Sequence, residues 1–232
     1  MTGQYLIKWF CKVLNWIVSI PYYLHRTYCR YRLKGRRFTI ISNNCWAGKL
    51  YQYLDMPYLS PTVGLYFFAD DYLKFVKNLH YYLSLELKFI SLQESKYCEE
   101  LKKRKQENIP IGILDDVEIV FLHYKTQQEA KEKWDRRKAR INWDDVFIKF
   151  SRMNGCTDEH LKEFDEIPFP NKFMLNISKH PIYSSEVYWD GPQNESEIIL
   201  DTTPFPGNLS LCRLLTLPQV GYINNGEDCE PN

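Results

Sequence analysis

Between Phe38 and Ile177 short runs of β-branched and aromatic residues alternate with amphipathic, capped segments, and this alternation constrains the fold most strongly. Phe38–Ile41 reads as a buried strand, and Ser42–Gly48 as a turn leading into a short helix at Lys49–Leu54. Thr62–Phe67 reads as a second strand. A helix capped by Asp70 or Asp71 follows, with Tyr72, Phe75, Val76, Leu79 and Tyr82 on one face. Leu87–Ile90 predicts a third strand, and the charged run Glu94–Glu107 a solvated face. Ile111–Leu114 and Val117–His123 flank Asp115 and Asp116 as a hairpin, or as one long strand with a break. Thr126–Ile141 predicts a helix with a capping box formed by Thr126 and Glu129. Val146–Phe150 reads as a strand, Thr157–Phe164 as a capped helix and Lys172–Ile177 as a last strand. Strand–helix alternation of this kind predicts an α/β fold, a three-layer domain with a largely parallel sheet. Beyond about residue 185 the chain is rich in Pro, Asn, Gly and Ser, which predicts an irregular C-terminal tail over 185–232 after an α/β domain over 38–184.

Residues 1–37 form a separate, basic unit. They hold eight basic residues and no acidic one, leaving 22 of the 30 basic residues against all 29 acidic ones in the rest of the chain. An overall formal charge of +1 hides this asymmetry. A basic arm on an acidic body points to an anionic surface as its partner. From Tyr5 to Leu24 the chain is mostly apolar, and its polar breaks at Lys8, Lys12, Asn15 and Ser19 fall on one helical stripe, with Trp9, Phe10 and Trp16 on the other faces. Pro21 ends or kinks this helix. A secretory signal puts charge before its apolar stretch and small residues after it, whereas here the charge follows and Tyr22, Tyr23 and Leu24 are bulky. A membrane-crossing helix would carry Lys8 and Lys12 at roughly 2.5–3.5 kcal/mol each if central. A helix lying in the interface keeps both lysines among headgroups, and Arg30, Arg32, Arg36 and Arg37 add attraction to anionic lipid. The expected membrane-facing set is therefore Lys8, Trp9, Lys12, Trp16, Arg30, Arg32, Arg36 and Arg37; docking on the body or on a second subunit is the alternative.

Seven scattered cysteines, an odd number without Cys-x-x-Cys spacing, read as free thiols in a reducing compartment. The aromatic share of 16% is high, which fits either a thick core or exposed rings that stack on sugars or lipid headgroups. In open α/β sheets ligands bind beyond the carboxyl ends of strands. That rule selects Ser42, Asn43, Asn44 and Cys45 after the first strand, Asp70 and Asp71 after the second, Asp115 and Asp116, and His123 with Tyr124. Asn43 and Asn44 offer paired amides for sugar hydroxyls or a phosphate, and equally suit a turn. The Asp pairs suit a divalent cation on a nucleotide-diphosphate donor, or a general base; capping and turn chemistry account for them as well. Cys45 with His123 as base would make a nucleophile, although a Cys beside Trp46 is more often packed core. Arg136, Arg137, Lys138 and Arg140 read as an exposed helix face, with phosphate binding as the alternative. No glycine-rich phosphate loop and no nucleic-acid-binding signature is present, which argues against a nucleic-acid partner.

The segments Ser42-Asn-Asn-Cys-Trp-Ala-Gly48, Ser60–Phe68, Asp70–Phe75, Ile111–Ile119, Phe121–Tyr124, Glu129–Trp143 and Phe147–Phe150 together resemble the bacterial exopolysaccharide-biosynthesis family catalogued as domain of unknown function 1919, over roughly residues 36–180. The resemblance implies an α/β fold and a place in capsule or exopolysaccharide gene clusters. Such clusters use transferases at the cytoplasmic membrane face. The expectation is then a glycosyltransferase-type transferase, peripheral on the inner face of the bacterial plasma membrane, with a nucleotide sugar and a lipid-linked saccharide as substrates. Asp115, Asp116 and His123 are its expected catalytic residues, and Asn43, Asn44, Cys45, Trp46, Tyr51, Gln52, Thr62, Asp71 and Tyr124 its expected substrate-binding residues. A Cys45–His123 acyl or substituent transferase and a non-catalytic scaffold of the polysaccharide machinery are the alternatives.

Overall fold

A computed structural model of the chain describes residues 23–201. The chain runs through α1 (residues 23–32), β1 (Thr39–Ser42), α2 (Trp46–Leu54), α3 (Ala69–Lys77), α4 (Leu79–Ser84) and β2 (Lys88–Ile90). It continues through α5 (Cys98–Lys103), the hairpin strands β3 (Ile111–Leu114) and β4 (Val117–Val120), α6 (Gln127–Lys138) and β5 (Val146–Ser151). The last elements are α7 (Asp158–Glu166), β6 (Lys172–Asn176) and β7 (Glu186–Tyr188). Two sheets result. One is parallel, in the order β1-β5-β6-β7; the other is antiparallel, in the order β2-β3-β4.

The parallel sheet is buried on both faces, as its near-continuous apolar strands require. Alternation along each strand sorts the side chains into two cores. Ile41, Val146, Ile148, Phe150 and Met174 join Tyr72, Phe75, Leu161 and Phe164 of α3 and α7 on one face. Ile40, Phe147, Phe173 and Leu175 join Cys29 and Leu33 of the α1 segment and Trp46, Leu50 and Tyr51 of α2 on the other. This is the expected three-layer α/β arrangement with a parallel sheet. The antiparallel sheet joins the first core through Val117, Ile119 and Phe121, against which Trp134 of α6 packs.

β1 lies at the end of the parallel sheet yet is wholly buried, so its outer backbone groups need partners. Side chains supply them. The Tyr51 hydroxyl accepts from the Ile40 amide at 3.0 Å and donates to the Phe38 carbonyl at 3.0 Å. The Thr62 hydroxyl accepts from the Ser42 amide at 3.1 Å.

Several expectations need correction. Residues 62–67 are not a strand: a turn over 61–64 holds Gly64 at φ +80°, and Tyr66 alone pairs, with Val120. α3 is capped by Phe68 without any side-chain bond, because Asp71 is turned into the protein and Asp70 bonds His160 at 2.9 Å. Thr126 caps α6, but the Glu129 carboxylate accepts from the Lys125 amide, one residue before the position a capping box needs. The charged run 94–107 contains α5, whose Leu101 is fully buried. β7 lies in the segment expected to be irregular and pairs with β6. Residues 1–22, which hold the predicted amphipathic helix with Lys8, Trp9, Lys12 and Trp16, and residues 202–232 lie outside the described residues.

Candidate functional site

The carboxyl ends of β1 and β5 lie side by side, and polar residues converge just beyond them. Asn43 continues the ladder with its side chain: its amide donates to the Ser151 carbonyl at 2.9 Å and accepts from the Ser151 amide at 3.0 Å. Asn44 fixes the start of α2 by accepting from the Trp46 amide at 3.1 Å. Its amide nitrogen donates to Asp201 at 2.8 Å.

Asp201 and Lys149 form an ion pair at 1% and 0% side-chain exposure. Lys149 stands on the α2 face of β5, in the same parity as Phe147, and its ammonium also reaches Asn44 at 3.2 Å and the Trp46 ring at 5.5 Å. Ser151 donates to the same Asp201 oxygen at 2.5 Å. Burial pushes the Asp201 carboxyl up, but Lys149, Ser151 and Asn44 outweigh it and hold the group below the usual range.

Two cavities open above this network, of about 310 and 370 Å³, and both are lined by Cys45, Lys49 and His123. The first runs under α6 and is walled by Tyr124, Lys133 and Arg137. The second runs toward α5 and is walled by Asn44, Arg104, Asn154 and Asp201. Together they form a cleft of ligand size. Its cations outnumber its carboxylates: Lys49, Arg104, Lys133 and Arg137 face it, against an Asp201 already matched by Lys149. Arg104 is held by Glu100 at 2.9 Å and Asn154 at 2.8 Å, and Lys133 by Glu129 at 2.6 Å. Lys49 and Arg137 have no carboxylate partner among the described residues.

The cleft unites part of the predicted site and excludes part. Asn44, Cys45, Gln52, His123 and Tyr124 line it. Asp115 and Asp116 do not: they form the tip of the β3–β4 hairpin, at the opposite end of β4 from His123. There Asp115 accepts from Tyr81 at 2.9 Å, and Asp116 from Lys74 at 2.8 Å and Tyr82 at 2.7 Å. The hydrogen bonds from Lys74 and Tyr82 hold the Asp116 carboxyl below its usual value. Asp71 is buried behind the same hairpin, paired with Lys96 and accepting from the Glu118 amide at 3.0 Å. Burial raises its carboxyl, opposed by Lys96. Asn43, Trp46, Tyr51 and Thr62 are buried in structural roles.

Cys45 caps α2 but donates to the Leu65 carbonyl at 3.6 Å, and burial pushes its thiol up to about 11. A neutral, deeply set thiol is a poor nucleophile. Among the described residues no group of three or more His, Cys, Asp or Glu is placed to hold a metal ion, and the Asp pairs selected for that role are spent on Lys, Tyr and His side chains.

The expected membrane-facing residues divide too. Arg36 is locked in a two-point pair with Asp145 at 2.7 and 2.9 Å, over the Phe38 and Phe147 rings, so its role is structural. Arg30 pairs with Asp55, Arg32 bonds the Tyr28 hydroxyl at 2.9 Å, and Arg37 is exposed. On α1, Leu24, Tyr28 and Tyr31 form an exposed stripe, while Cys29 and Leu33 turn inward. Beside it lies a third cavity of about 690 Å³, lined in part by Arg30, Lys34 and Arg37. No helix among the described residues is long and apolar enough to cross a membrane.

Comparison with known proteins agrees with the resemblance at Ser42–Gly48 and beyond. An uncharacterized protein of Haemophilus influenzae is 32% identical over 177 residues, covering 76% of this chain and 79% of that protein. Residues 21–206, and with them every wall of the cleft, match the domain of unknown function (DUF1919), and the chain belongs to that family.

Proposed function

We propose that the protein is a transferase of capsular or exopolysaccharide assembly, of glycosyltransferase type. It takes a sugar from an activated, phosphate-bearing donor and passes it to a lipid-linked acceptor at the inner face of the bacterial plasma membrane. The observation that carries this reading is the cleft beyond β1 and β5, where cations exceed carboxylates and an exposed imidazole, His123, stands at the junction of two cavities. A negatively charged donor is held by the cations. Transfer to a hydroxyl needs a proton acceptor near the reacting carbon, and His123 replaces the Asp pair in that role. The exposed Leu24, Tyr28 and Tyr31 stripe with Arg32 and Arg37 suits a headgroup layer, where aromatic rings and basic side chains both find partners. A neutral Cys45 that donates to a carbonyl does not favour the covalent alternative.

A panel of nucleotide sugars, tested against the full chain by thermal shift, checks this reading: at least one raises the melting temperature, and the rise grows with the logarithm of its concentration above Kd. His123→Ala then keeps binding and loses transfer by about 10²- to 10⁴-fold. If no nucleotide sugar stabilises the protein, the reading is wrong.

A further inference from the structure

The cavity under α6 is walled by a buried positive charge for which the described residues supply no counter-ion. Arg137 is 6% exposed and has no carboxylate partner among the described residues. Its contacts are neutral: the Val63 carbonyl at 3.1 Å, the Tyr124 hydroxyl, and the Tyr58 ring at 4.8 Å. Both hydrogen bonds use one terminal nitrogen, Nη1, so the other N–H donors of the fork have no protein acceptor among the described residues while the side chain lines the cavity. Desolvating a guanidinium without a matching anion is unfavourable, and an anion entering the cavity would relieve that cost. Two more cations lie on the same wall. Lys49 stands exposed on α2 without a carboxylate partner among the described residues, and Lys133, paired with Glu129 at 2.6 Å, sits one turn before Arg137 on α6.

We infer that Arg137, Lys49 and Lys133 bind a pyrophosphate group, the planar fork of Arg137 gripping one phosphate and the two ammonium groups reaching the other. Charges converging from two helices suit two linked phosphates better than a single small anion. A diphosphate occurs both in a nucleotide-sugar donor and in a lipid-linked acceptor, and the site recognises the part they share. The identity of the attached group rests on the transferase reading; the anion site itself rests on Arg137 and Lys49.

The test is calorimetric titration of the full chain at fixed ionic strength, first with inorganic pyrophosphate, then with nucleoside-diphosphate sugars and with a short prenyl diphosphate. Pyrophosphate is expected to bind, and Lys49→Gln to weaken it about tenfold with an unchanged melting temperature, because the Lys49 side chain is exposed and holds none of the described residues in place. Arg137→Lys, which keeps the charge and loses the fork, should weaken it at least as much. No pyrophosphate binding to the wild type, or equal binding by wild type and Lys49→Gln, overturns the site. Pyrophosphate and prenyl diphosphate binding without any nucleotide sugar keeps the site, assigns it to the acceptor and removes the proposed donor. Nucleotide sugars that bind wild type and Lys49→Gln equally keep the donor reading and remove this site from it.

Discussion

Cys45 shows how one residue's surroundings decide between two chemistries. Burial raises its thiol, Asp201 adds to the shift, and Lys49 and Lys149 oppose it without cancelling it. The thiol is the neutral form below about 11 and thiolate only above, so reactivity climbs with pH across the whole working range. Iodoacetamide labelling of Cys45 at pH 7.5, followed by mass spectrometry, should run roughly 300-fold slower than an ordinary thiol with a pKa near 8.5, in the ratio of their thiolate fractions. Labelling as fast as a free thiol would return the covalent mechanism to consideration. At this scale the sequence is legible where a residue's neighbours in the chain are also its neighbours in space. Asn44 and Cys45 were readable at the end of β1 because the turn carries them there. Arg137 was not, since four basic residues crowd the end of α6 and charge alone does not say which turns inward. The signal was the spacing: Ala130 and Trp134 mark the buried stripe, and three residues on lies Arg137.

Among the elements, the turn over 61–64 links the sheet edge to the cleft. Thr62 closes the outer side of β1, and Gly64 lies against Tyr124, the residue that holds Arg137. At φ +80° a Cβ on Gly64 would be strained and would stand 3.1 Å from the Tyr124 ring. Gly64→Ala should therefore cost about 1–2 kcal/mol in urea unfolding. An unchanged midpoint would show that the turn relaxes freely. Strands β1, β5 and β6 and helices α6 and α7 were legible because apolar period and Thr caps are local signals. The run 62–67 has the β-branched and aromatic composition of a strand but spends the Thr62 hydroxyl on β1 and offers Tyr66 alone to Val120. Composition reports burial there, not pairing. β7 has three residues, too few for any period to show.

For the molecule as a whole, the Lys149–Asp201 pair ties the segment after β7 into the sheet. Breaking a buried pair from one side leaves an uncompensated charge, so Lys149→Met should cost about 3–5 kcal/mol, and adding Asp201→Asn should recover part of it. Urea unfolding of the two variants measures both steps, and equal stability of the single and double mutants would refute the coupling. The sign of the acid dependence follows from the lowered Asp201 carboxyl. Its stabilisation is fully present above the ordinary Asp value near 3.9, and is lost as pH falls through the lower value of the folded state. Thermal melts from pH 7 downward should steepen for the wild type below about pH 4 and stay flatter for Asp201→Asn. The overall α/β class was legible from alternation alone; this closure was not, because Asp201 follows a Pro- and Asn-rich stretch with no pattern to place it. The pair also makes the sheet depend on a residue outside it. Lys149 and Asp201 are 52 positions apart, and β1, β5, β6 and β7 all precede the carboxylate that neutralises Lys149. A chain cut between β7 and Asp201 would keep every strand of the parallel sheet and leave a lysine unpaired in its interior.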